Sequence, residues 1–259
     1  MHIIGCQLDL AWEDREENFR RVETLLGSIT VPANSLIVLP EMFPCGFTMD
    51  VEKVREGDPS PTEAFVTGLA RQHSSWVMAG VVRKGEKLPG RNDAIAVDPD
   101  GSLQARYSKI QPFTPGGEAE RYEAGDEVVV FPCNGFVTRP FICYDLRFPE
   151  IFRLGVQKGA ELFIDMANWP AVRVDHWITL LRARAIENQA YVVGINRCGE
   201  DPNITYPGRS IVVDPHGEIL ADAGTEEGLL EVDIDHGVVV QWRKKFPALN
   251  DLRPRHLGM

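Results

Sequence analysis

Cysteine is scarce in this chain. Five residues, Cys6, Cys45, Cys133, Cys143 and Cys198, are scattered through 259 with no CxxC pair. An odd, dispersed set argues against both a disulfide framework and a thiolate zinc site. The six histidines show no HxxxH or related spacing, so no metal is expected. Neither a P-loop nor a GxGxxG cradle is present to hold a phosphate-bearing group, and no cofactor is expected. Long apolar runs are missing as well: none approaches the 18 residues of a membrane span. The opening "MHIIGCQLDLAW" alternates like a strand and lacks the charged head, apolar centre and cleavage site of a secretory signal. Positive charge is in deficit, 27 Lys and Arg against 38 Asp and Glu, for a net charge of -11. Such a balance repels phosphate backbones and anionic lipid. The longest basic cluster, "RKK" at 243–245, reads as a solvated face. These absences point away from nucleic-acid and membrane partners and toward a cytoplasmic protein whose chemistry comes from side chains alone.

What is present suits a large core: 44% of the residues are hydrophobic and 25% charged. Periodicity predicts a strand in "HIIGCQLDL", a helix over 14–27 with Phe19, Val22, Leu25 and Leu26 on one stripe, and a buried strand in "SLIVLPE". Pro61 opens a helix to about Ser74, "WVMAGVVR" is a strand, and "AIAVDPDGSLQARYSKI" is a hairpin turning at Asp98-Pro99-Asp100-Gly101. The second half replays this order. "ELFIDMAN" is a strand, 175–189 a helix, "YVVGINR" a strand and "SIVVDPHGEILA" a hairpin. "VDPDG" recurs as "VDPHG" at an offset of 116, and "WVMAGVVR" answers "YVVGINR" at 115. Two matches at nearly one offset, in one order of elements, indicate an internal duplication. Strands apolar on both faces then predict a four-layer α-β-β-α sandwich, one domain over 1–259 with an extended tail from about 247.

Three strand ends carry a polar residue just beyond an apolar run, where open α/β sheets hold their sites. They are Glu41 in "SLIVLPEMF", Lys109 in "ARYSKIQPF" and Cys143 in "FICYD". Each alone reads as an ordinary surface or core residue. Together they form a chemical set: a carboxylate can deprotonate a thiol, and an ammonium stabilises both the thiolate and a developing oxyanion. A Cys–His pairing would instead draw on His176, which opens a helix and reads as a packed or hydrogen-bonded residue.

The segments "LPEMF", "YSKIQPF" and "ICYDLRFPE", separated by 68 and 34 residues, resemble the Glu-Lys-Cys signatures of the nitrilase, or carbon-nitrogen hydrolase, superfamily. The resemblance extends over nearly the whole chain. "ANWP", "LLRARAIENQAYVVG" and "YPGRSIVVDPHGEIL" are most similar to its omega-amidase (2-oxoglutaramate amidase) branch. It implies Cys143 as nucleophile, Glu41 as general base and Lys109 as oxyanion stabiliser. Glu118, seven residues before Gly125, matches the family's second glutamate and would orient Lys109 or the substrate. The backbone N–H of Tyr144 would complete the oxyanion hole.

The reaction so implied is hydrolysis of a small omega-amide to acid and ammonia through a thioester. A substrate such as 2-oxoglutaramate carries a distal carboxylate, which a guanidinium binds best. Arg147 and Arg173 are placed for this, although Arg147 also has Asp145 and Glu150 nearby in sequence for an ion pair. Phe43 and Trp169 would supply apolar walls. Cys6 and Cys198 read as core, and Cys45, four residues after Glu41, as a neighbour of the site. The resemblance further implies a homodimer or higher homo-oligomer. A nitrilase, a thiol redox protein and an inactive binding module remain alternatives.

Overall fold

The computed structural model describes residues 1–253. Its first half contains β1 (His2–Gln7), α1 (Arg15–Gly27), β2 (Leu36–Val38), α2 (Val51–Val54), α3 (Pro61–His73), β3 (Trp76–Lys84), β4 (Gly90–Val97), β5 (Leu103–Ser108) and α4 (Glu118–Arg121). The second contains β6 (Phe131–Cys133), β7 (Phe136–Ile142), α5 (Pro149–Gln157), β8 (Leu162–Ala167), α6 (Val174–Asn188), β9 (Tyr191–Asn196), β10 (Cys198–Glu200), β11 (Thr205–Pro207), β12 (Ile211–Val213) and β13 (Ile219–Asp222). Strand β14 (Gly228–Asp233) and helix α7 (His236–Lys245) follow.

Two six-stranded sheets result, ordered β14-β1-β2-β3-β4-β5 and β13-β12-β9-β8-β7-β6. From β1 to β5 the pairings run parallel, parallel, antiparallel, antiparallel. The path β7-β8-β9-β12-β13 repeats that series. The predicted duplication is therefore a repeat of topology, and it holds down to the turns. Asp98 Oδ1 accepts the N–H groups of Asp100 and Ser102, and Asp214 Oδ1 accepts those of His216 and Glu218.

Alternation decides the layers, because successive strand residues face opposite sides. Leu36, Val38, Met78, Ala94 and Ala96 meet Ile142, Ile164, Met166, Val193 and Ile195 between the sheets. Ile37, Val77, Ala79 and Ile95 turn outward onto Val22, Leu26, Val66 and Leu69 of α1 and α3. Phe141, Phe163, Val192 and Ile211 do the same under Phe152, Trp177, Leu181 and Ala185 of α5 and α6. This is the expected α-β-β-α order. Leu181 is fully buried, so its truncation to Ala would cost about 2–5 kcal/mol.

The helices begin where their caps allow. Asp14 accepts from Glu17 N ahead of α1, and Ser60 accepts from Glu63 N ahead of α3, with Pro61 in its first turn. Two terminal expectations change. Ala248–Asp251 form a 3-10 turn, so the tail is not simply extended from 247, and residues 254–259 lie outside the described ones. Within "RKK", Arg243 turns inward and donates to the carbonyls of Gln189, Ala160 and Asn188.

Candidate active site

Glu41 reaches the site because the chain after β2 passes directly over Gly80 of β3. A β-carbon at position 80 would lie 2.5 Å from the Glu41 Cα, so only glycine permits the approach. Lys109 leaves the end of β5 with its N–H bonded to Asn92 O and its carbonyl accepting from Gly125 N. Glu118 opens α4 just beyond. Cys143 directly follows β7 and begins a 3-10 turn, Cys143–Arg147, with φ 49°. Left-handed backbone is uncommon outside glycine and marks a turn held by its surroundings.

These elements bring together three of the four predicted groups as a buried ionic cluster. Lys109 Nζ lies 2.8 Å from Glu41 Oε1 and 2.8 Å from Glu118 Oε2. All three side chains are at most 1% exposed. Burial of this kind is destabilising unless every lone pair finds a donor. Here most do. Asn92 Nδ2 bridges the two carboxylates, at 2.7 Å from Glu41 Oε1 and 2.8 Å from Glu118 Oε1. Glu41 Oε2 accepts from Asn168 N at 2.9 Å, and Glu118 Oε2 accepts from Phe113 N at 2.6 Å.

Burial alone would raise Glu41, but the Lys109 ammonium and the Asn92 and Asn168 hydrogen bonds outweigh it and hold the carboxyl below its usual range. Desolvation likewise opposes the charge on Lys109, and the flanking carboxylates Glu118 and Glu41 override it, raising the lysine well above normal. Cys143 goes the other way. Burial first, then the Glu41 charge, push its thiol well above the ordinary value, against the pull of Lys109. These directions favour an ionised Glu41, a charged Lys109 and a neutral Cys143 thiol.

The fourth group opens the site to solvent. Cys143 is the one cysteine of the five that is not buried, and it lines a cavity of about 300 Å³ together with Lys109, Asn168 and Trp169. Tyr144 lies on the same wall, its ring edge-on to Phe113 with centroids 5.0 Å apart. Arg147 and Arg173 both face the cavity. Arg147 sits 4.6 Å over the Trp169 ring, and Arg173 5.5 Å from the Phe113 centroid. Neither has a carboxylate partner among the described residues. The ion pair considered for Arg147 does not form, because Asp145 is occupied by Tyr107 Oη, Gln111 N and Ile142 N. Burial and the neighbouring Arg173 instead lower Arg147, and its guanidinium approaches His176 Nδ1 at 3.4 Å.

Phe43 is a correction. It is fully buried on the helix side of the first sheet, against Phe19 and Phe65, and does not reach the cavity. The residue after Glu41 turns left-handed, Met42 φ 44°, and that turn sends the next side chain inward. Cys45 is buried with Met42, Val51 and Tyr122 and does not line the cavity either. Sequence reasoning missed Asn92 and Asn168. Two signals were available: the polar pair Asn92-Asp93 inside an apolar strand, and the position of Asn168 after β8, much as Glu41 follows β2.

Comparison with known proteins settles the family. Residues 5–244 match carbon-nitrogen hydrolase. The chain belongs to that family. Among relatives, this carbon-nitrogen hydrolase is 32% identical over 252 residues to 2-oxoglutaramate amidase of Bacillus subtilis, covering 96% of this chain and 97% of that one. It is 38% identical over 250 residues to the omega-amidase YafV of Yersinia enterocolitica, covering 95% and 94%. A solved carbon-nitrogen hydrolase superfamily protein of Xanthomonas campestris superposes with TM-score 0.92 at 32% identity, covering 98% and 97%, and that protein carries an arsenic adduct in its active site.

Proposed function

We propose that this hydrolase cleaves the C–N bond of a small omega-amide bearing a distal carboxylate, with 2-oxoglutaramate the leading substrate. The observation that carries the reading is the buried Glu41–Lys109–Glu118 cluster with the half-buried Cys143 thiol on the cavity wall. The amidase names of the relatives above agree with it.

In this scheme the Cys143 sulfur bonds to the amide carbon while its proton passes to Glu41, whose ionised state equips it as base. The carbonyl electron pair moves onto oxygen, where Lys109 and the Tyr144 N–H receive it. The C–N bond then breaks, the proton on Glu41 goes to the nitrogen, and ammonia leaves a thioester. Glu41 next takes a proton from water as its oxygen attacks, the C–S bond breaks, and the proton returns to sulfur. Glu118 and Asn92 hold Lys109 and Glu41 in place throughout, and Arg147 and Arg173 receive the distal carboxylate. A redox role for Cys143 finds less support, since the other four cysteines are buried and offer no resolving thiol.

Ammonia release should be measured on 2-oxoglutaramate, succinamate, an uncharged amide and the matching nitriles, with mass spectrometry of quenched enzyme to detect the acyl adduct. Preference for the carboxylate-bearing amides and an adduct on Cys143 are expected. Equal turnover of the uncharged amide overturns the substrate class, and ammonia release by Cys143→Ala overturns the nucleophile.

A further inference from the structure

Strand β8, "LFIDMA", is apolar except at Asp165. That carboxyl is fully buried, and its Oδ1 accepts the backbone N–H of Cys143 at 2.8 Å. Its Oδ2 has no hydrogen-bond partner among the described residues. The donor is the left-handed residue described above, so this one bond ties down the backbone that a β-carbon makes costly. Leu36 and Leu162 hold the same register against β3 and β9, so the position in the first half that corresponds to Asp165 is Leu39, an apolar residue, and the sandwich itself does not demand a polar one.

We propose that Asp165 is a positioning residue for the nucleophile: it accepts the Cys143 N–H as a neutral carboxylic acid, fixing the turn without placing another negative charge beside the thiolate. The inference rests on the reading of Cys143 as nucleophile. An ionised oxygen buried without a donor costs far more than a buried neutral hydroxyl, and Oδ2 has no donor among the described residues. Most of the neighbouring charge acts the same way: Asp145 from the turn after β7 and Glu41 from the first sheet disfavour ionisation, and Lys109 alone of the first-sheet groups named opposes them. Trp177 and Leu181 of α6 pack on Gly194, the partner of Asp165 in β9. The nearby α6 cation, Arg184, directs its donors to Leu146 O and Glu187. Burial first, then the Asp145 charge, raise Asp165 well above the carboxylate range, against Lys109 and the Cys143 N–H.

The test compares wild type, Asp165→Asn, Asp165→Ala and Cys143→Ala by the pH dependence of iodoacetamide alkylation, read as intact mass, and by kcat and KM for ammonia release. Circular dichroism checks folding. Asparagine preserves the acceptor without charge, so Asp165→Asn should keep the alkylation midpoint within about 0.3 pH unit and most of the kcat. Asp165→Ala should lower kcat roughly 30-fold with KM changed less than about twofold. A midpoint lowered by about one unit or more in Asp165→Asn would show an ionised Asp165 and overturn the proposal, as would a near-normal kcat in folded Asp165→Ala. If Asp165→Ala does not fold, the Asn profile decides alone. Ammonia release by Cys143→Ala would instead remove the nucleophile reading, a failure distinct from the others.

Discussion

The two halves of the sandwich share one topology and differ in what their strand ends carry. The first half delivers charge: Glu41 after β2, Lys109 after β5 and Glu118 beyond it, all buried. The second delivers the thiol after β7, the two cavity arginines and, between β9 and β12, the extra hairpin β10–β11 whose Asp201 and Tyr206 line the cavity mouth. In the first half β3 passes to β4 through a short turn over 85–89 and no such hairpin exists. A duplicated scaffold thus separates two tasks that conflict locally. Glu41 is stabilised by dense pairing in the buried interior, whereas Cys143 must meet substrate.

The sharpest way to break this division is to remove one group from each half. Cys143→Ala and Glu41→Gln should each lower kcat for ammonia release by at least about 1000-fold, and the double variant should be little worse than either alone. Groups that act as one unit are grossly non-additive. Independent, multiplying losses would show that the halves do not cooperate in one step.

A smaller effect should appear in stability. Asp145 joins the halves, because its carboxyl on the second-half turn accepts from Tyr107 Oη and Gln111 N of the first. Burial raises it to about 6 despite the Tyr107 hydrogen bond, the Lys109 charge and two backbone N–H groups. The unfolded value lies near 3.9, so between these values the folded state holds a proton that the unfolded chain releases. Its contribution to stability is therefore fullest below about pH 4 and is lost as pH rises through 6, by up to about 3 kcal/mol. Glu41, depressed instead, contributes the opposite slope at lower pH. Urea unfolding between pH 4.5 and 7 should show the decline in wild type and a flatter profile in Asp145→Asn. An unchanged slope would rule out Asp145 as its source.

Asn168 follows β8 much as Glu41 follows β2, and it holds the Glu41 carboxylate through its N–H, at 2.9 Å, and its Nδ2, at 3.2 Å. Asn196 in turn pairs with both the N–H and the carbonyl of Trp169 and so fixes the turn that presents Asn168. Asn168→Ala should lower kcat by roughly 10–100-fold with little change in KM, since it misaligns the base and leaves the arginines in place. A rise in KM with unchanged kcat would move Asn168 to substrate binding.

The sequence made the layers and the repeat legible because both are written in hydrophobic period and turn chemistry. "VDPDG" and "VDPHG" became the same hydrogen-bonded turn. Glu41, Lys109 and Cys143 were visible as polar residues just beyond apolar runs, and Glu118 only through resemblance. Asn92 and Asn168 were hidden because their value depends on which carboxylate each faces across 51 and 127 residues of chain. Phe43 misled because adjacency to Glu41 in sequence is undone by one left-handed residue between them.

The weakest expected effect concerns the cavity arginines, neither of which has an ion-pair partner among the described residues. Arg173 remains solvent-accessible at the cavity wall, where screening limits a single charge contact. Arg173→Ala should therefore raise KM about tenfold for 2-oxoglutaramate or succinamate, and by clearly less for an uncharged amide of similar length. Arg147 differs, because its guanidinium also rests on the Trp169 ring and its loss would disturb that wall. Substituting Arg147 should accordingly weaken both kinds of substrate. If Arg173→Ala affects charged and uncharged amides equally, the cation does not read the carboxylate, and the specificity of the second half lies in the shape set by Trp169 and the β10–β11 hairpin.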